Sequence, residues 1–132
     1  MITAIIEKAQ DGGFSIYSPQ IKGVYAPGPT EEEAKEEFAE MLAEEAEDVK
    51  ERTGSYPEWH GQDAEIEFTY SISGFFEAFP FINASEFAKA VGVNPSLMRR
   101  YKAGKSGVSP RQRQQIQQKL YEIAGRLQAV RF

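Results

Sequence analysis

The sequence predicts an α+β protein in two modules, a β-β-β-α-β domain over residues 1–73 and an all-helical domain over residues 74–132. Three observations predict it. Apolar residues alternate near the start and again shortly before residue 73, they step by three and four through the long acidic stretch between, and beyond Gly74 only helical spacing is found. The charge divides at nearly the same place: residues 1–80 hold 18 Asp and Glu against 5 Lys and Arg, whereas residues 81–132 hold 2 against 10. An acidic body joined to a basic tail is the pattern of a nucleic-acid-binding module fused to one with another task.

Residues 1–8 place Ile2, Ala4 and Ile6 on one face, and Asp11-Gly12-Gly13 supplies a tight connection to a second strand, Phe14 to Tyr17, ended by Pro19. A third short strand, Val24-Tyr25-Ala26, is closed by Pro27-Gly28-Pro29, completing an antiparallel meander. Thr30 followed by Glu33 forms a capping box, so a helix begins at about Glu31 and runs to about Arg52 with Ala34, Phe38, Met41, Leu42, Ala46 and Val49 on one face. Residues 55–63 read as a loop. Ala64 to Ile72 then alternates strictly, with Ile66, Phe68, Tyr70 and Ile72 on the apolar side, and reads as a strand.

Past Gly74 comes an aromatic segment, Phe75 to Phe79, ended by Pro80. A helix from Ala84 to Val91 capped by Asn83, a turn at Gly92-Val93-Asn94, a helix from Pro95 to Lys102 and a last helix from about Ser109 to Ala129 follow. The inner face of the last helix reads Ile116, Leu120, Ile123 and Leu127, and Val130-Arg131-Phe132 is expected to add a short strand.

Composition excludes several classes of function. At 132 residues, with 41% apolar and 27% charged residues, the chain supports a packed core but is too short for a large cofactor-binding enzyme. No stretch approaches the roughly 20 apolar residues of a membrane span, and the N-terminus turns polar too early for a signal peptide. The absence of cysteine removes disulfides, thiolate zinc sites and thiol nucleophiles, and suits a cytoplasmic location. His60 is the only histidine, so one chain cannot build a multi-histidine metal site. No cofactor and no enzymatic activity are expected; a nuclease would need a carboxylate constellation, and Glu7 is the only acid on the first strand.

The segment ASEFAKAVGVNPSLMRRYKAG, residues 84–104, has the layout of a helix-turn-helix. Ala88 is small where two helices cross, Gly92 makes the turn, and Val93, Leu97 or Met98, and Tyr101 point inward. The second helix then presents Pro95, Ser96, Arg99, Arg100 and Lys102 outward, with Asn94 at its cap, aimed at phosphate or a base edge. Arginine reads guanine with two hydrogen bonds, whereas Lys102, Lys105, Arg111 and Arg113 suit phosphate contacts that position without specifying sequence. The candidate DNA-binding residues are therefore Asn94, Ser96, Arg99, Arg100, Lys102 and Lys105. Ala84 departs from the motif, because a polar side chain such as glutamine is common at that position.

Single aromatic and titratable residues carry weaker signals. Between Thr30 and Arg52 the helix holds 11 acidic residues, a solvated face that also suits a basic partner. His60 in its polar loop is assigned no role. Phe75, Phe76, Phe79 and Phe81 are expected to serve as core beside the helix-turn-helix, and Tyr17 and Tyr25 suit either strand packing or a partner groove.

Residues 13–42, GFSIYSPQIKGVYAPGPTEEEAKEEFAEML, resemble the N-terminal module of HicB-type antitoxins, with Pro19, Gly23, Gly28, Thr30, Glu33 and Ala34 at the motif positions. The second half resembles the helix-turn-helix of that family's DNA-binding variants. The resemblance implies a partial RNase-H-like fold that blocks a small basic RNA-cleaving toxin, HicA, and a tail that represses the shared operon. A homodimer or higher oligomer is expected, because one helix-turn-helix reads few base pairs and paired half-sites supply the rest. The competing reading is a stand-alone transcription regulator whose N-terminal domain senses a ligand or dimerises.

Overall fold

A computed structural model describes residues 1–61 and 65–132. Among these residues the chain is α+β and forms two compact units, Met1–Ala78 and Phe79–Phe132. The division falls at residue 78 rather than 73, because the segment after Gly74 packs with the sheet.

The first unit opens with β1 (Ile2–Lys8), β2 (Phe14–Ser18) and β3 (Ile21–Gly28), an antiparallel meander as the turn residues predict. β3 is longer than its apolar run suggests and includes Pro27. As the edge strand of a sheet ordered β3-β2-β1-β4, it tolerates proline, which removes an N–H that no inner neighbour needs. The connection to the last strand is α1 (Glu31–Thr53), which carries the chain across so that β4 (Ile66–Tyr70) pairs parallel to β1, Ile2 opposite Ile66 and Ile6 opposite Tyr70. Parallel neighbours require such a crossover.

Thr30 caps α1, its Oγ1 accepting the Glu33 N–H at 3.2 Å, while Gly54 closes the other end in the left-handed conformation. Among the described residues the Glu33 carboxylate does not return a bond to Thr30, so half of the capping box is realised. Ala34, Phe38, Leu42 and Ala46 are buried at four-residue steps, and Met41 and Val49 are half-buried beside them. Ala34, Phe38 and Leu42, with Met41 beside them, pack with Ile2, Ala4, Ile6, Ile16, Val24 and Ala26 of the sheet, and the Phe38 ring meets Phe68 edge-on at 6.4 Å. Burying an aromatic of this size contributes roughly 1.5–3 kcal/mol.

The expected strand from Ala64 to Ile72 is shorter in the structure. Ala64 lies outside the described residues, and the strand stops at Tyr70 because Ser71 starts a helix. The Ser71 N–H still extends the ladder to Ile6 O at 2.9 Å, but its hydroxyl accepts the Gly74 N–H at 3.1 Å and so opens α2 (Ile72–Ala78). Phe75 and Phe76 belong to α2 in the first unit, and Phe79 and Phe81 are exposed; none is core of the helix-turn-helix, contrary to expectation.

The second unit contains α3 (Ala84–Val91), α4 (Pro95–Lys102) and α5 (Pro110–Gln128). Ala84, Phe87, Ala88, Val91, Val93, Met98, Tyr101 and Ile116 are its buried apolar residues. Of the predicted inner face of α5 only Ile116 is buried; Leu120 and Ile123 are half-buried and Leu127 is 67% exposed. Residues 130–132 form no strand, there being no free sheet edge within that all-helical unit. Among the described residues no helix is long and apolar enough to cross a membrane.

Gly74 sits so close to β1 that a Cβ there would lie 2.1 Å from the Ile6 carbonyl oxygen, a backbone atom that cannot move alone. Gly74→Ala is expected to destabilise the first unit by at least about 2 kcal/mol in urea unfolding. The probe is the fluorescence of Trp59, the sole tryptophan, which packs on that unit's core.

Candidate nucleic-acid interface and acidic face

The helix-turn-helix segment folds as its residues dictate. Asn83 caps α3, its side chain accepting the Glu86 N–H at 2.9 Å, and Gly92 leaves the helix at φ 76°, a left-handed conformation that needs glycine. Asn94 caps α4 by accepting the Ser96 and Leu97 N–H groups at 2.9 and 3.4 Å, and Pro95 fills the first helical position. Val93, Met98 and Tyr101 are buried as expected, Met98 rather than Leu97 taking the inner place. The turn is pinned from α5 as well: Gln115 Nε2 donates to the carbonyls of Val91 and Gly92 at 3.2 and 3.3 Å.

On the side of α4 away from Met98 and Tyr101, Ser96, Arg99 and Arg100 are exposed; Lys102 is exposed at the end of the helix, and Lys105 just beyond. Pro95, expected outward, is half-buried. Asn94 is exposed, but its side-chain oxygen is committed to the cap, so only its amide NH2 remains to meet a phosphate or base. The Arg99 guanidinium donates from Nη1 to Ser85 Oγ at 2.9 Å and from Nη2 to Ser96 Oγ at 3.1 Å. Arg100 donates from Nε to Ser106 Oγ at 2.9 Å. Between Glu86 and Glu122 the sequence holds no carboxylate, and those two pair with Lys89 at 3.2 Å and Lys119 at 3.5 Å. The guanidinium groups of Arg99 and Arg100 are thus held by hydroxyls and keep their charge for a polyanion.

Ser85, Ser106 and Gln115 escape a reading by motif. The Ser85–Arg99 and Gln115–Val91 contacts span 14 and 24 positions and arise only when the helices cross. The one sequence signal is Ser85 beside Ala84, which supplies a polar group one place after the position where the motif commonly has one.

The first unit offers a different surface. The carboxylates of α1 lie mostly on its exposed side, with two local ion pairs, Lys35–Glu31 at 3.2 Å and Arg52–Glu45 at 3.7 Å. Tyr70 of β4 hydrogen-bonds the Glu31 carboxylate, and Lys35 Nζ stands 4.7 Å above the Phe68 ring, tying the start of α1 to the edge strand. On the sheet, buried Ser15 bonds the exposed Tyr25 hydroxyl at 2.7 Å, and Tyr25 donates to Glu7 at 3.2 Å; Tyr17 is half-buried. This arrangement orients one phenol and one carboxylate. Among the described residues no group of three or more His, Cys, Asp or Glu is placed to hold a metal ion. His60 stacks on Tyr56 with centroids 4.1 Å apart.

Compared with known proteins, the chain matches no family model, and no curated protein and no solved structure is significantly similar to it.

Partial burial, together with the hydrogen bond to Glu31 and that carboxylate's negative charge, raises the Tyr70 pKa from 10.0 to about 12. The folded state thus holds this proton more tightly than the unfolded chain. The resulting stabilisation is complete below about pH 10 and is lost as pH rises toward 12. Phenolate absorbance during alkaline titration should show one of the six tyrosines ionising near pH 12, a component that Tyr70→Phe removes.

Proposed function

We propose that the chain is a HicB-type antitoxin of a type II toxin–antitoxin pair. Its first unit captures a small basic HicA-like RNA-cleaving toxin, and its second represses the shared operon by binding operator DNA. The protein acts in the cytoplasm by occlusion and groove reading, without catalysis or a cofactor. The observation that carries this reading is the run of cations at the end of α4: Arg99, Arg100 and Lys102 are exposed on a capped second helix and Lys105 just after it, in a stretch of sequence free of carboxylates.

The first unit supports the other half of the proposal. A mixed sheet with one crossover helix agrees with the partial RNase-H-like fold that the resemblance implies, and α1 presents carboxylates outward where a basic partner would be steered and held.

Two copies on paired half-sites complete the reading. The half-exposed stripe of Leu120, Ile123 and Leu127 on α5 suits a second copy, since Glu122 and Arg126 lie one turn apart and an antiparallel neighbour would set opposite charges against them. Leu127→Glu should then convert a dimer to a monomer in light scattering at micromolar concentration.

The deciding experiment is co-purification with the product of the adjacent small basic reading frame, joined to growth of cells expressing that product with and without this chain. Capture with rescue of growth is the expected result; no complex and no toxicity would leave the stand-alone regulator. Replacing Arg99 and Arg100 by alanine should weaken binding to the upstream DNA by at least about tenfold while toxin capture is unchanged. Equal loss of both would overturn the division of labour.

A further inference from the structure

We infer that Arg99 is the base-reading side chain of α4 and that Ser85, on the preceding helix, is the positioning residue that fixes its fork. The inference rests on the DNA-binding reading of the second unit. An arginine reads guanine when two of its N–H groups reach O6 and N7 together, which demands that the guanidinium plane be set before contact. A free arginine on a helix surface has several rotatable bonds to immobilise, and each restrained bond reduces the entropy lost on binding.

Arg99 is restrained at both tips of its fork. Ser96, three positions earlier on the same helix, accepts from Nη2, and Ser85, in the first turn of α3, accepts from Nη1. Two bonds to hydroxyls on two different helices define the plane of the group, where a single bond would leave it free to swing. Two of the five donors are used in this way, and the fork keeps enough N–H groups for a bidentate bond. The hydroxyls are neutral, so the full positive charge of Arg99 remains available to the nucleic acid, as it would not with a carboxylate partner.

Arg100 differs in kind. Its Nε bonds a hydroxyl of the loop after α4, a single attachment that steers the side chain toward that loop and leaves the orientation of its fork open. Such a cation suits a phosphate, which accepts approach from many directions. Ser85 also accounts for the departure at Ala84. The polar group that the motif commonly places at the opening of the first helix is supplied here one position later, and it acts through Arg99.

The test is selection of duplexes from a pool with a randomised central region, using the full-length protein at low salt, followed by competition binding with the selected duplex and its single-base variants. Wild type should select a guanine whose replacement weakens binding about five- to 150-fold, the range of one bidentate arginine–guanine pair. Arg99→Lys keeps the charge but not the fork, and should lose that discrimination while retaining its affinity for non-cognate duplex. Ser85→Ala should reduce discrimination at the same base with the thermal transition unchanged, and Ser85→Thr, which restores a hydroxyl, should recover it. Arg100→Lys should leave discrimination intact. Base preference unaffected by Ser85→Ala and Arg99→Lys would overturn the inference alone, reducing the two serines to a tie between helices. Failure of wild type to retain any duplex at low salt would overturn the DNA-binding reading and this inference with it.

Discussion

The first unit depends on a narrow apolar stripe along a helix that is otherwise acidic. Eleven carboxylates between Thr30 and Arg52 repel one another, and in isolation such a helix would be held by little beyond its cap and two local ion pairs. It persists because Ala34, Phe38 and Leu42 lie on the sheet, where the apolar area removed from water outweighs the repulsion. Everything downstream follows from that seat. The helix returns the chain to the far edge, where β4 pairs with β1 and Ser71 and Gly74 turn the chain into α2. The same burial turns the carboxylates outward, so stability and charge display have one origin.

The second unit solves the opposite electrostatic problem. The two arginines of α4 are held by neutral hydroxyls, and the turn before them is held by the neutral amide of Gln115. An orientation set by neutral acceptors leaves the charge unspent for a partner. The two units thus use one chain to present opposite fields, each set by an excess of one sign in its sequence.

Much of this was legible in the residues because the decisive signals are local. Asp11-Gly12-Gly13 marks a hairpin, Thr30 a cap, Gly92-Val93-Asn94 the turn between the crossing helices, and each acts over a few positions. The misreadings have physical causes too. Pro27 looks like the end of a strand unless the strand is known to be an edge, and the alternation that runs through Ile72 is overridden by one serine hydroxyl. α5 shows a continuous apolar stripe, yet periodicity reports which side of a helix is apolar and not how far along it a neighbour extends; Ile116 is buried, Leu120 and Ile123 are half-buried, and Leu127 is exposed. The contacts of Ser85 and Ser106 with the arginines depend on tertiary geometry, to which spacing is blind.

The parallel pairing of β1 with β4 has a temporal consequence. Ile2 and Ile66 are partners 64 residues apart in the chain, whereas the β1–β2–β3 hairpins and the three helices of the second unit close over short stretches. Closing that long loop costs entropy before its contacts repay it, and it sets the pace of assembly for the first unit. On the ribosome the inner strand β1 must wait, one side unpaired, until residue 70 has emerged. The second unit, synthesised after the first and with mostly local contacts, is then the quicker to form.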